Sequence, residues 1–152
     1  MYTCTRITTA ETYAVRHPVL RKGKPLSSCA FAGDDLSSTQ HFGIFETDKL
    51  IGVLSLFVEK CSLFQTENQL QFRGMAVLEP YQNKGIGEQL MRYAELEIKL
   101  PTPYLIWLNA REKAISFYTK MGYQNIGEPF IIGDIGTHFV YYKIQTSTPN
   151  TK

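Results

Sequence analysis

Tyr81-Gln82-Asn83-Lys84-Gly85-Ile86-Gly87 separates two segments of different periodicity. Before it, residues 69–78 (QLQFRGMAVL) read as a strand that Glu79-Pro80 ends. After it, Ile86, Leu90, Tyr93, Ala94 and Ile98 recur at helical spacing, which predicts a helix over 85–100, stopped by Pro101 and Pro103. The stretch is therefore a strand-to-helix junction. The first turn of a helix leaves N–H groups without intrahelical partners. Gly85 and Gly87 remove side chains that would block a ligand, Lys84 adds a positive charge, and the successive amides from Asn83 through Ile86 to Gly87 suit an anion such as a pyrophosphate. On spacing alone, a turn whose glycines serve only geometry remains the alternative. A Walker A loop is absent, and a Rossmann fingerprint fails because position 90 is Leu.

Upstream, residues 41–46 and 49–59 are β-rich around Thr47-Asp48 and predict a hairpin, with Phe42, Ile44, Val53, Leu54 and Phe57 supplying apolar surface and Gly52 marking a bulge or a close approach. Residues 2–8 predict a first strand. Residues 9–21 predict a helix with Thr9 as its cap, bent or ended by Pro18. The Gly-, Pro- and Ser-rich residues 22–39 predict a loop with one short helix. In the 69–78 strand, alternation sets Leu70, Phe72, Gly74, Ala76 and Leu78 on one face. Gln69, Gln71, Arg73, Met75 and Val77 lie on the other, which starts polar and ends apolar. Downstream, residues 104–109 (YLIWLN) read as a buried parallel strand, residues 111–121 as an amphipathic helix stopped by Gly122, and 123–128 and 137–144 as final strands. The strand–helix–strand unit at 69–109 requires parallel pairing inside an otherwise antiparallel sheet.

The 152 residues fit one domain, taken as 1–145 with a polar tail at 146–152. A net charge of +2 argues against nucleic acid or a membrane surface as a bulk partner. Three widely spaced cysteines (Cys4, Cys29, Cys61) make a disulfide scaffold unexpected and favour a reducing cytosol. His17, His41 and His138 lack zinc-type spacing, so no metal is expected. No signal layout or spanning run is visible, which points to the cytoplasm.

The run from Met75 to Gly87 resembles the signature of the GNAT superfamily of N-acetyltransferases, whose acetyl-CoA motif [Q/R]-x-x-G-x-[G/A] is met by Gln82, Gly85 and Gly87. Ala114-Ile-Ser-Phe-Tyr-Thr-Lys-Met-Gly-Tyr123 resembles a second family motif, A-x-x-[F/L]-Y-x-K-x-G-[F/Y], in the right order and at the right interval. The resemblance implies a mixed α+β fold of six to seven mostly antiparallel strands, with a central splayed parallel pair and about four helices. It implies acetyl-CoA as cosubstrate, with its diphosphate on Gln82–Gly87. Backbone groups of Met75, Ala76 and Val77 would serve the pantetheine arm and the thioester carbonyl. Tyr118 would be the acid for the leaving thiolate after direct attack by a primary amine through a tetrahedral intermediate. The family commonly carries an Asn three positions before the Ala of the second motif. Here that position is Arg111, with Asn109 two residues earlier, and either inherits the contact. For the general base, His41, Glu79, Asp34, Asp35 and His138 are candidates, His138 first. Gln71 and Arg73 are candidates for the acceptor pocket, where Arg73 would suit a carboxylate or phosphate. The acceptor is expected to be a small molecule or peptide amine. The same resemblance makes a homodimer an expectation and a non-catalytic CoA sensor the alternative.

Overall fold

The computed structural model describes residues 1–133 and 135–146. In chain order the elements are β1 (Tyr2–Ile7), α1 (Thr9–Leu20), a 3-10 turn (Leu26–Cys29), β2 (Gln40–Glu46), β3 (Lys49–Val58) and β4 (Gln69–Val77). A 3-10 turn (Glu79–Tyr81), α2 (Ile86–Leu96), β5 (Tyr104–Arg111), a 3-10 turn (Glu112–Ala114), α3 (Ile115–Lys120), β6 (Gln124–Ile132) and β7 (Gly136–Gln145) complete them. The strands form a seven-stranded sheet in the order β1-β2-β3-β4-β5-β7-β6. The β1–β2, β2–β3, β5–β7 and β6–β7 pairs are antiparallel and β4–β5 is parallel. The mixed, mostly antiparallel sheet with one parallel pair is the one expected. Among the described residues there are three α-helices rather than about four, because the 22–39 segment is interrupted by Gly23, Pro25 and Gly33 and winds only one 3-10 turn. No helix among the described residues is long and apolar enough to cross a membrane. The tail expected at 146–152 lies outside the described residues except for Thr146.

Two compact units divide the chain: Met1–Phe57 with Phe72–Ile98, and Val58–Gln71 with the segment from Lys99 onward. In the first unit, Ile7, Val15, Val53 and Ala76 form a buried cluster against which Val19, Leu20, Phe45, Leu50 and Leu78 pack. The hairpin residues Phe42, Ile44, Val53, Leu54 and Phe57 are all buried. A Cβ at Gly52 would stand 2.8 Å from Ile44 Cγ2, so this glycine marks a close approach. In the second unit, Leu105, Trp107 and Val140 are buried beneath Cys61, Phe64, Ile126, Phe130 and Tyr142. The 59–68 connection is tied down by polar bonds there. Cys61 N donates to Gln69 Oε1 at 2.7 Å, Gln69 Nε2 donates to Thr66 O at 3.0 Å, and Trp107 Nε1 donates to Glu59 O at 2.9 Å.

Several boundaries differ from the sequence expectation. The α1 cap is Thr8, not Thr9. Its side chain accepts from Glu11 N at 3.2 Å while Glu11 Oε1 accepts from Thr8 N at 2.8 Å, closing a capping box. Pro18 lies inside α1, which ends two residues later at Leu20. Helix α2 stops at Leu96, where Glu97 N and Ile98 N donate to Ala94 O and Glu95 O in tightened turns, and Met91 takes the buried place expected of Ile98. The 111–121 helix divides into a 3-10 turn and α3. Strict alternation in β4 fails as well. Gln69 to Phe72 are buried in succession, and Gly74 adopts φ +69°, which re-aims the strand.

The largest fully buried side chain of the first unit is Arg16, which has 0% exposure. Its Nη1 donates to Asp34 Oδ2 at 2.8 Å and Cys29 O at 2.9 Å, and its Nη2 donates to Asp34 Oδ1 at 3.1 Å and Ser55 Oγ at 2.9 Å. Since Asp34 O can only accept, His41 Nε2 carries the proton shared with it at 2.9 Å. His41 Nδ1 then accepts from the Ser55 hydroxyl at 2.6 Å. Burial pushes the Asp34 carboxyl up. The hydrogen bonds from Arg16 and Phe31 N and the Arg16 charge outweigh it and hold the carboxyl below its ordinary 3.8. Removing this partner leaves a buried guanidinium uncompensated, so Asp34→Ala is expected to lower stability by roughly 3–5 kcal/mol in urea unfolding. Because the folded carboxyl titrates below 3.8, its contribution is complete above that pH and disappears as pH falls through the lower folded value. The variant should therefore lose the acid limb that the wild type shows there.

Candidate active site

In the first unit, β4 leads into the junction quoted at the outset. Gly85 is the αL cap of α2 (φ +79°), and Asn83 is also left-handed (φ +62°). Two such turns in close succession fold the loop so that its amides precede the helix without entering its ladder. Among the described residues, no carbonyl accepts from the N–H groups of residues 83–87, and Gln89 N is the donor to Gly85 O at 3.1 Å. A Cβ placed on Gly85 would meet nothing within 4 Å, so the space over the loop is open. Gln82 braces the loop: its Nε2 donates to Val77 O at 2.8 Å. Lys84 Nζ lies 5.9 Å from the centroid of the Tyr81 ring, whose hydroxyl donates to Glu46 Oε1 at 2.7 Å. Orphan amides, a helix N-terminus and a lysine on one loop make an anion cradle.

Upstream of the cradle, the parallel ladder between β4 and β5 holds three pairs, Gln69↔Leu105, Leu70↔Ile106 and Gln71↔Trp107. Gln71 is buried at its last rung. The Gly74 turn then precedes Met75 and Val77, which are half-buried, and Ala76, which is buried. A Cβ on Gly74 would stand 2.8 Å from Phe31 Cε2 and 3.5 Å from Arg16 Nε. Phe31 sits among guanidinium groups: Arg16 Cζ lies 3.8 Å from its ring centroid, Arg73 Cζ 5.1 Å and Arg21 Cζ 5.4 Å. The sequence reading nominated Arg73 but missed Phe31, Arg16 and Arg21. The available signal was the absence of any acid between Glu11 and Asp34, a span that carries Arg16, His17, Arg21, Lys22 and Lys24.

The second unit gathers Asn109, Arg111, Tyr118 and His138. Arg111 faces His138 across the β5–β7 ladder, and Asn109, two residues back, shares its face and is exposed. His138 is buried. Its Nδ1 donates to Gly136 O at 2.9 Å, which leaves the Nε2 lone pair as the acceptor of the neutral ring. Tyr118 stands on α3 in edge contact with Phe117 (5.1 Å) and Tyr123 (6.4 Å). Gly122 (φ +96°) turns the chain so that Tyr123 N donates to Tyr118 O at 3.0 Å. Among the described residues the Tyr118 hydroxyl has no hydrogen-bond partner. Burial pushes its pKa from 10.0 to about 12, with the Arg111 charge pulling the other way.

The remaining base candidates separate by their surroundings. His41 has both ring nitrogens engaged and Asp34 is committed to Arg16, so both hold structure in the first unit. Glu79 opens the 3-10 turn before the cradle, and both it and Asp35 are exposed.

A family model described as an acetyltransferase (GNAT) domain matches residues 37–125. The N-acetyltransferase YitI of Bacillus subtilis (strain 168), itself uncharacterised, is 33% identical over 137 residues, which is 90% of this chain and 92% of YitI. The ribosomal-protein-S18-alanine N-acetyltransferase from Escherichia coli matches in structure with a TM-score of 0.73, covering 100% of this chain and 99% of that one at 16% identity. Arabidopsis thaliana NAA60 in complex with acetyl-CoA gives 0.73, covering 95% and 98%, at 10% identity. At such identities the two structures speak to the fold. The family model and YitI go further: this chain belongs to the GNAT acetyltransferase family and is, by class, an acetyl-CoA-dependent N-acetyltransferase.

The Tyr118 environment has a measurable consequence. Between its ordinary 10.0 and its folded value of about 12, the unfolded chain releases a phenol proton that the folded chain keeps. Its burial therefore favours folding up to about pH 10, and that advantage falls as pH rises toward 12. Urea midpoints measured across this range should drop more steeply for the wild type than for Tyr118→Phe.

Proposed function

We propose that the chain acts as one domain over residues 1–145 and transfers the acetyl group of acetyl-CoA to a primary amine of a small molecule or peptide. The observation that carries this reading is the set of amides at 83–87 without internal partners, under open space at the start of α2. In this reading those amides and Lys84 hold the coenzyme diphosphate, with Gln82 serving as the brace that keeps the loop in shape. Backbone groups of Met75 and Val77 bond the pantetheine arm. The N–H of Met75 or Ala76 donates to the thioester oxygen as negative charge grows there. Asn109 and Arg111 supply further coenzyme contacts from their shared face of β5. Gln71 and Arg73 belong to the acceptor side.

The amine attacks as the free base, so its proton has to leave. His138, with Nε2 as its free acceptor, takes it directly or through water. Tyr118 stays protonated throughout the working pH range and donates a hydrogen bond to the departing sulfur. A phenol at about 12 surrenders its proton to a thiolate of about 8.5 only uphill, by roughly 5 kcal/mol. Tyr118 therefore stabilises the leaving group by that bond, and solvent completes protonation of the thiol.

Two measurements test this reading. Calorimetry should register acetyl-CoA binding to the wild type, and Gly87→Val, which a helix tolerates but which fills the cradle, should weaken it about tenfold or more, about 1.4 kcal/mol. Absence of binding heat in the wild type removes the proposal. A thiol-release assay with an amine panel should give turnover, and Tyr118→Phe should reduce kcat by roughly ten- to a hundredfold. Binding without turnover of any amine would mark a CoA sensor instead, and an unchanged kcat in Tyr118→Phe would remove that residue from the chemistry.

A further inference from the structure

A row of side chains crosses the sheet of the second unit. Phe130 of β6 pairs with His138 of β7, and His138 pairs in turn with Arg111 of β5, so the three share one face. The Phe130 and His138 rings lie 5.9 Å apart. His138 serves as the base in the reading above, whereas Arg111, at the end of the row, has no chemistry of its own. Directly after Arg111 the 3-10 turn Glu112–Ala114 leads the chain into α3, which carries Tyr118. Arg111 is half-buried, and among the described residues its guanidinium makes neither a hydrogen bond nor an ion pair. The adjacent carboxylate, Glu112, is exposed. The buried Arg16 is matched by Asp34, and Arg111 has no such match. Its charge acts at the Tyr118 hydroxyl, where it opposes the effect of burial. A guanidinium keeps its proton at any working pH. A half-buried cation without a counter-ion, acting on a phenol whose hydrogen is not yet donated, is set to receive an anion.

We propose that Arg111, together with the Tyr118 hydroxyl, receives the coenzyme sulfur as a thiolate when the tetrahedral intermediate breaks down. The proposal rests on the acetyl-transfer reading above and supplies its counter-charge. Attack by the amine forms the C–N bond and puts negative charge on the carbonyl oxygen. Collapse restores the carbonyl, breaks the C–S bond and sends that electron pair to sulfur. Tyr118 holds its proton too tightly to neutralise the sulfur at that moment, so the group departs as an anion and solvent protonates it afterwards. A fixed cation stabilises this anion as it forms and does little for the neutral thioester that precedes it. The amine's proton, once on His138, places a second positive charge opposite Arg111, and the thiolate offsets part of that repulsion.

The test follows the thiol of bound CoA in the full-length protein. Ultraviolet absorbance of the thiolate is titrated in the CoA complex, and the desulfo-CoA complex serves as the blank that cancels the protein's own tyrosines. The thiol should ionise at least about one pH unit lower in the wild type than in Arg111→Gln, a roughly tenfold change in the thiolate ratio. Arg111→Lys, which keeps the charge, should return most of that difference. Calorimetry should give desulfo-CoA the same affinity in the wild type and in Arg111→Gln, to within about twofold. Melting temperatures check that the variants fold, and Arg111→Met is the second neutral variant. Equal thiol titration in the wild type and the neutral variants overturns the proposal. A shift that Arg111→Lys shares in full with Arg111→Gln also overturns it, because an electrostatic effect follows the charge. Loss of desulfo-CoA affinity equal to the loss for CoA overturns it in favour of a contact with the phosphates or the pantetheine arm. A wild type that binds neither CoA nor desulfo-CoA overturns the underlying reading, and this proposal with it.

Discussion

Arg16 bears a full positive charge with no solvent to share it, and much of the first unit is arranged to meet that demand. Its partners come from separate parts of the chain: Asp34 and Cys29 from the loop after α1, Ser55 from β3, and the Phe31 ring stacked on its plane. Ser55 and Asp34 O in turn engage His41 of β2. One guanidinium therefore converts a Gly- and Pro-rich connection, which has little apolar surface of its own, into a fixed wall. Such a network specifies a conformation more than it adds net stability, since a well-packed apolar replacement loses no desolvation energy.

That wall explains a local oddity in β4. Gly74 is left-handed and faces Phe31 at a distance no Cβ tolerates. The residue that lets the strand turn is thus the same one that lets the aromatic ring lie over Arg16. Strand geometry, loop placement and the cationic surroundings of Phe31 are one packing solution rather than three separate features.

At the other end of β4 the constraint is the reverse. The N-terminus of α2 leaves its donors without internal partners, because Asn83 and Gly85 take left-handed turns that bypass the usual side-chain cap. Exposed amides cost little while water reaches them, and they are already aimed when an anion arrives. The second unit holds groups of a different kind. Tyr118 is kept protonated by burial, and His138 is held by Gly136 O in the tautomer that can accept a proton.

Local chemistry made much of this legible from residues alone. The glycine loop after a Pro-terminated strand, the apolar stripe of α2, the hairpin around Thr47-Asp48 and the Gly122 stop all depend on near neighbours, and each stands where sequence placed it within a few residues. Gly85 and Gly87 are legible for the same reason, whereas Gln82 and Tyr118 stand out only through the motif resemblance. Features that join distant segments were not legible. The alternation expected of β4 gave way because Gln69 finds partners at Cys61 and Thr66, and because Gly74 must yield to Phe31. The pairing of Arg111 with His138 and the gathering of Arg16, Arg21 and Arg73 around one ring depend on strand register and loop placement. Sequence by itself determined the order of elements and the glycine loop between β4 and α2, since those rest on short-range hydrogen bonding and periodicity, and its two motifs carried the family resemblance. Only the tertiary structure decided which charges are buried and which are shared, because burial and charge pairing belong to neighbours in space.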